Sequence, residues 1–171
     1  MTIEAKIRRE RETLFLSSLA VILFCVWGSA KVLFSYMLNP IHWIQYVTGS
    51  ESPAITETGA AVIIVAYILV NFLFRLCIGI PAIKESQADA SGKRVLYLIF
   101  AVLFLATDIL FYWTEFIMPI QSGQFMEMFE TGEIIGPFAM LFIEVTSCFV
   151  TMQLIISSLK LKYLRHSAKS A

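Results

Sequence analysis

Residues 84–94 read KESQADASGKR and connect two long apolar runs, at about 59–80 and 95–118. A helix needs about 20 residues to cross the hydrocarbon of a bilayer, and each run is long enough. Because the connection is short, two helices joined by it must be antiparallel neighbours. The connection carries Lys84, Lys93 and Arg94. The sequence therefore predicts a transmembrane helical hairpin with a basic turn.

Two further apolar runs flank this hairpin, at about 13–38 and 134–158. Basic residues precede the first run and follow the last: Lys6, Arg8, Arg9 and Arg11, then Lys160, Lys162, Arg165 and Lys169. The other two connections, roughly 39–58 and 119–133, lack Lys and Arg and carry Glu51, Glu57, Glu127, Glu130 and Glu133. Basic residues at alternate ends of successive spans indicate which ends face the cytoplasm. We therefore predict an all-α, antiparallel four-transmembrane-helix bundle in the plasma (inner) membrane, with both termini cytoplasmic.

The composition agrees with a single membrane domain covering residues 1–171. Hydrophobic residues make up 58% of the chain and the mean hydropathy is +0.76, too apolar for an ordinary soluble fold. Outside the four runs we expect a cytoplasmic N-terminal helix at 1–12, a basic cytoplasmic tail at 159–171 and short interfacial helical turns in the outer connections. The remainder has no room for a soluble catalytic domain.

The chain carries no motif that is typical of a nucleotide, metal or covalent-catalysis site. Cys25, Cys77 and Cys148 all lie within apolar runs, and none belongs to a C-x-x-C pair. We interpret them as small buried apolar residues. No cofactor and no metal ion is predicted.

Ionisable residues inside apolar runs are the strongest candidates for a functional site, because a charge within a bilayer is costly. With a rise of about 1.5 Å per residue, Lys31, Asp108 and Glu144 fall in one layer of the outer half of the membrane, and Glu115 lies nearer its outer surface. Two interpretations stay open: an ion pair that aligns the helices, or a polar cavity or ion path entered from the outer side. Arg75 is expected to extend toward the cytoplasmic interface.

Each run also has a face of polar and small residues, which must meet another helix or another subunit. The residues expected to form these helix–helix polar contacts are Asn71, Ser147, Thr151 and Ser35.

The basic cytoplasmic residues are expected to contact anionic lipids or a soluble cytoplasmic protein, and not nucleic acid. They are Arg8, Arg9, Arg11, Lys84, Lys93, Arg94, Lys160, Lys162 and Arg165.

The favoured function is a non-enzymatic, homo-oligomeric scaffold or sensor that couples a membrane-side signal to a cytoplasmic partner. Small bacterial membrane proteins of stress or phage-defence systems fit this outline. A first alternative is a homo-oligomeric channel or a proton- or cation-coupled transporter that uses the buried carboxylates. A second is a membrane enzyme that modifies a lipid or quinone with carboxylates as acid and base. The sequence offers that enzyme no nucleophile–base pair.

Overall fold

The computed structural model describes residues 2–38, 57–88, 95–121 and 135–170. Throughout these ranges the chain is helical and contains no strand, which confirms the predicted all-α class. The helices are α1 (Ile3–Leu38), α2 (Glu57–Gln87), α3 (Leu96–Tyr112) and α4 (Ile135–Ser170). The predicted interfacial turns of the outer connections lie outside the described residues.

Three of the helices contain stretches that are long and apolar enough to cross a membrane: Ile3–Ala30, Ala61–Gln87 and Leu141–Ala168. In α3 the apolar stretch Leu96–Leu110 is shorter. These lengths and compositions are those of a membrane protein.

Two of the predicted helix ends are wrong, because proline does not end either helix. We expected α2 to end before Pro81, but it continues to Gln87. A proline removes one hydrogen bond from the helix interior, and contacts to the last carbonyl groups of α2, described below, hold the following turn. The basic tail predicted at 159–171 is helical as far as Ser170.

The second wrong helix end is at Pro119, where the third span was predicted to stop. Instead α3 continues through a π-helical turn (Trp113–Ile117) and a final α-helical turn (Met118–Gln121). The N–H of Met118 donates to the carbonyl of Trp113, five residues earlier. Pro119 follows directly, and its nitrogen has no hydrogen to donate to an earlier carbonyl group. A local π-helical turn is one way in which apolar helices accommodate a proline.

The helices contact one another in a ring: α1 with α2, α2 with α3, α3 with α4, and α4 with α1. Buried apolar side chains from all four helices form one cluster. Its members are Leu14, Val21, Ile78, Ala82, Tyr97, Leu98, Ala101, Phe104, Leu154 and Leu161. Many large apolar side chains point outward, including Leu23, Val62, Leu110 and Phe149. A folded chain that exposes this much apolar surface needs lipid or other subunits around it.

Helices α1 and α2 approach each other closely at Gly79. A Cβ atom at this position would lie 2.5 Å from Cγ1 of Ile22 and 3.2 Å from the backbone oxygen of Ser18. Small residues permit such backbone approach between apolar helices, where side-chain packing replaces the hydrophobic effect as the driving force. A methyl group at residue 79 would therefore overlap Ile22 unless that side chain or the backbone of α1 shifts.

We predict that Gly79→Ala destabilises the protein relative to Gly28→Ala. At Gly28 the nearest atom to an added Cβ is Oδ1 of Asn71, at 3.9 Å, so a methyl group fits there. Both substitutions replace glycine by alanine in a helix, so both gain the same helix propensity. The free energies of unfolding of the two variants should therefore differ by the cost of overpacking at residue 79, about 1–3 kcal/mol. Unfolding of the purified protein in mixed micelles measures it. Equal midpoints for the two variants would contradict the close α1–α2 contact.

Candidate functional site

Arg75 lies at the centre of a buried polar network and is only 4% exposed. Its Nη1 donates a hydrogen bond to Oγ of Ser147 on α4, at 3.0 Å. Its Nε donates to Oδ1 of Asn71, one turn earlier on α2, at 3.3 Å. Its Nη2 lies 4.0 Å from Oδ2 of Asp108 on α3. We call these four residues the midspan cluster; they join α2, α3 and α4.

An aromatic ring completes the surroundings of the guanidinium group. The Cζ atom of Arg75 lies 4.4 Å from the centroid of the Phe104 ring. A cation over a ring face is attracted by the ring quadrupole, and the attraction grows when water is excluded. Phe104 therefore stabilises the charge while it shields the ion pair from its surroundings.

The expectation that Arg75 extends to the cytoplasmic interface is wrong. Its charge is satisfied inside the helix ring, by Asp108 and by two neutral oxygen atoms. Arg75 and Asp108 each lie 12 residues from the turn-facing end of their helix, at Gln87 and Leu96. In an antiparallel hairpin, equal separations place two residues at the same depth, here about 18 Å from the turn. The predicted ends at 80 and 95 hid this equality, so no signal in the sequence alone pointed to the pair.

The predicted ionic group is only partly described. Asp108 is present, with Arg75 as its cation, and the side chains of Lys31 and Glu115 lie outside the described residues. Glu144 is half-buried on α4. Cys148 lies one turn further along α4, within electrostatic range of Asp108, Glu144 and Arg75. The structure therefore brings both predicted acids near one thiol.

The residues predicted to make helix–helix polar contacts lie in the same region. The hydrogen bond between Arg75 and Ser147 joins two helices, whereas the bond from Arg75 to Asn71 and that from Thr151 lie within their own helices. Asn71 and Ser147 both accept hydrogen bonds from Arg75. Thr151 is fully buried, and its hydroxyl donates to the backbone oxygen of Ser147, at 3.0 Å. The side chain of Ser35 is not among the described residues.

A second buried ionic group, which sequence analysis missed, lies near the hairpin turn. The side chain of Glu85 is 1% exposed, and Nζ of Lys162 lies 3.7 Å from its Oε1. The same Nζ lies 5.5 Å from the ring centroid of Tyr97, whose hydroxyl is hydrogen-bonded to Ser158. We call Glu85, Tyr97, Ser158 and Lys162 the end cluster. No apolar run marks Glu85, because the predicted second span ended before it.

Two arginines bind the carbonyl end of α2. Nε of Arg11 donates to the carbonyl of Ser86 at 2.7 Å, and its Nη2 donates to the carbonyls of Gln87 and Ala88. Nη2 of Arg165 donates to the carbonyl of Ala88 at 2.5 Å. The last carbonyl groups of a helix lack intrahelical partners and carry partial negative charge, so a guanidinium group satisfies both needs.

These contacts change the interpretation of the basic residues. Arg11, Lys162 and Arg165, predicted to face lipid or a partner, make contacts within the chain. Four other basic residues predicted to contact lipid or a partner have exposed side chains: Arg8, Arg9, Lys84 and Lys160. Lys93 and Arg94 lie outside the described residues.

An apolar layer separates the two polar clusters. On α2, Ile78 lies between Arg75 and Glu85; on α4, Leu154 lies between Thr151 and Ser158. Both side chains are fully buried, and both belong to the apolar cluster. On α2 and α4, buried polar side chains therefore occupy two levels with an apolar level between them, while on α1 the buried Ser18 lies beside Gly79, at that apolar level.

Comparison with known proteins adds no assignment: no protein-family model, curated protein or solved structure matches this chain. Within the described ranges, no three His, Cys, Asp or Glu side chains form a group that could hold a metal ion. The case for a function therefore depends on the contacts of the chain itself.

We predict that the Arg75–Asp108 pair shows strong energetic coupling. Arg75→Gln or Asp108→Asn alone leaves a buried charge without its partner, and we expect each to lower the free energy of unfolding by about 3 kcal/mol. The double variant should lose less than the sum of the two. Unfolding of all four forms in mixed micelles measures the coupling.

The exposed pair of Arg8 and Glu12, whose Nε–Oε1 distance is 3.2 Å, provides the control. Arg8→Gln and Glu12→Gln should be additive within about 0.5 kcal/mol, because water screens that pair. Additivity for Arg75 and Asp108 as well would refute the buried ion pair.

Proposed function

We propose that this chain is a four-span plasma-membrane protein, with both termini in the cytoplasm, that works as a non-enzymatic scaffold or sensor. It would couple a signal in the bilayer to a soluble cytoplasmic partner. Alternating basic and acidic connections support the orientation. Outward apolar side chains around a partly polar interior support insertion in lipid.

The observation that carries the proposal is the attachment of the basic residues to the end of α2. We call the first turns of α1, the last turns of α2 and α4 and the first turn of α3 the basic end. There, Arg11 and Arg165 tie α1 and α4 to the same carbonyl group, that of Ala88. A tilt or shift of α2 in the membrane would therefore move the exposed cations around it. That linkage gives a membrane-side event a route to a cytoplasmic surface.

The polar interior supports a structural role for its charges. Arg75 and Asp108 form a pair, and the apolar layer of Ile78 and Leu154 lies between this pair and the end cluster. Such an arrangement favours helix alignment over conduction through one subunit. The exposed apolar faces leave room for homo-oligomerisation, since a second copy could cover part of them.

We predict that a stoichiometric soluble partner binds the basic end through charge. Arg8→Glu/Lys84→Glu reverses two exposed cations and should abolish the complex isolated from crosslinked native membranes. The charge-preserving control Arg8→Lys/Lys84→Arg should retain it. Quantitative mass spectrometry of the purified complexes gives the stoichiometry. A wild-type protein that brings down no stoichiometric soluble protein would refute this function.

A channel or cation-coupled transporter is the second candidate, and one observation favours it. Asp108 and Glu144 both lie within electrostatic range of Cys148, so two acids share one region of the interior. Carboxylates inside a membrane protein often mark cation sites or proton relays. An oligomer could place such sites around an axis.

If the chain conducts ions, Glu144→Gln should abolish proton or alkali-cation flux in proteoliposomes while the oligomer still assembles. Glu12→Gln, at the exposed basic end, is the matched control and should leave flux unchanged. Absence of flux from the wild-type protein under both a pH gradient and a membrane potential would exclude this candidate.

A further inference from the structure

A groove at the basic end runs between the first turns of α1 and the last turns of α4. It has a volume of about 530 Å³. Three cations line it, Lys6 and Arg9 from α1 and Lys160 from α4, with Glu10 as the one acid among its described lining residues. The groove therefore carries a net positive charge.

These three cations differ from their neighbours in having no described ion-pair partner. Arg8 pairs with Glu12, and Lys162 pairs with Glu85. Arg11 and Arg165 bind the end of α2. Within the described part of the chain, Lys6, Arg9 and Lys160 take part in no ion pair. Their charges stay available to a bound anion.

Apolar side chains lie directly beside the cations. Leu159 and Tyr163 line the groove and are 54% and 73% exposed. Met152 and Ile156, also exposed, continue the same face of α4 toward the middle of the helix, at the i, i+4, i+7 and i+11 spacing of a helical stripe. The groove thus opens onto an exposed apolar track along α4.

We propose that this groove binds an anionic phospholipid, with the phosphate between Lys6, Arg9 and Lys160 and an acyl chain along Tyr163, Leu159 and Ile156. Cations near the surface attract anionic headgroups, and aromatic side chains favour the headgroup level. A free phosphate would leave the apolar track uncovered. A soluble acidic protein would have to cover the same apolar track, which continues into the membrane-facing part of α4. The lipid satisfies both parts of the site.

The inference rests on the membrane insertion proposed above, but not on a cytoplasmic partner. Native mass spectrometry of the protein in detergent, titrated with phosphatidylglycerol or phosphatidylcholine, measures the binding of each lipid directly. We expect one phosphatidylglycerol per chain to bind in preference to phosphatidylcholine. Arg9→Gln/Lys160→Gln should weaken phosphatidylglycerol binding on the order of tenfold, since each cation near the surface adds to the attraction.

Arg8→Gln/Lys84→Gln is the matched control, because it removes one Arg and one Lys at the same end but outside this groove. It should leave the affinity within about twofold of the wild type. Equal weakening in both variants, or no preference for phosphatidylglycerol, would overturn the site. Competition by glycerol phosphate or by a polyglutamate peptide as strong as by phosphatidylglycerol would overturn the choice of a lipid. A chain that stays monodisperse without detergent would instead refute membrane insertion.

Discussion

A guanidinium group buried inside an apolar helix is the constraint on which the rest of the structure depends. Removing a charge from water is costly, so Arg75 needs an acid, neutral oxygen atoms and a shielding ring, and each comes from a defined place. Asp108 and Phe104 fix the register of α3 against α2, and Ser147 fixes that of α4. A slip of one residue along any of these helices would rotate its group by about 100° away from the cation.

The same requirement explains the distribution of side chains. Serine and threonine hydroxyls in the interior bond to carbonyl groups one turn earlier, as Ser18 and Thr151 do, so they bring polarity inside without leaving unpaired donors. Large apolar side chains occupy the outside. At the basic end, Arg11 and Arg165 perform for the last carbonyls of α2 what water would do in a soluble helix. Polar contacts at two levels thus hold helices whose outer faces suit lipid.

The helical class and the short connection that follows α2 could be read from the sequence, because apolar run length and connection length are local properties. The contact of Asp108 with Arg75 was not predicted. Arg75 has a side chain long enough to reach an interface, and only the position of α3 and α4 decides that it turns inward. Helix ends were misjudged at Pro81 and Pro119, since a proline penalty can be offset by contacts from residues distant in sequence, as at the end of α2, or by a π-helical turn. Glu85 was missed for the same reason.

The ion pair itself can be measured in bilayers, because the chain contains only two aspartates, Asp89 and Asp108. Protein labelled with ¹³C at the aspartate carboxyl and ¹⁵N at the arginine guanidinium gives two carboxyl signals, which Asp108→Asn assigns. Rotational-echo double resonance should show strong dephasing of the Asp108 signal that disappears in Arg75→Gln, in keeping with an Nη2–Oδ2 distance of 4.0 Å. A signal from Asp108 that is not dephased by any arginine, or is dephased equally in Arg75→Gln, would contradict the account.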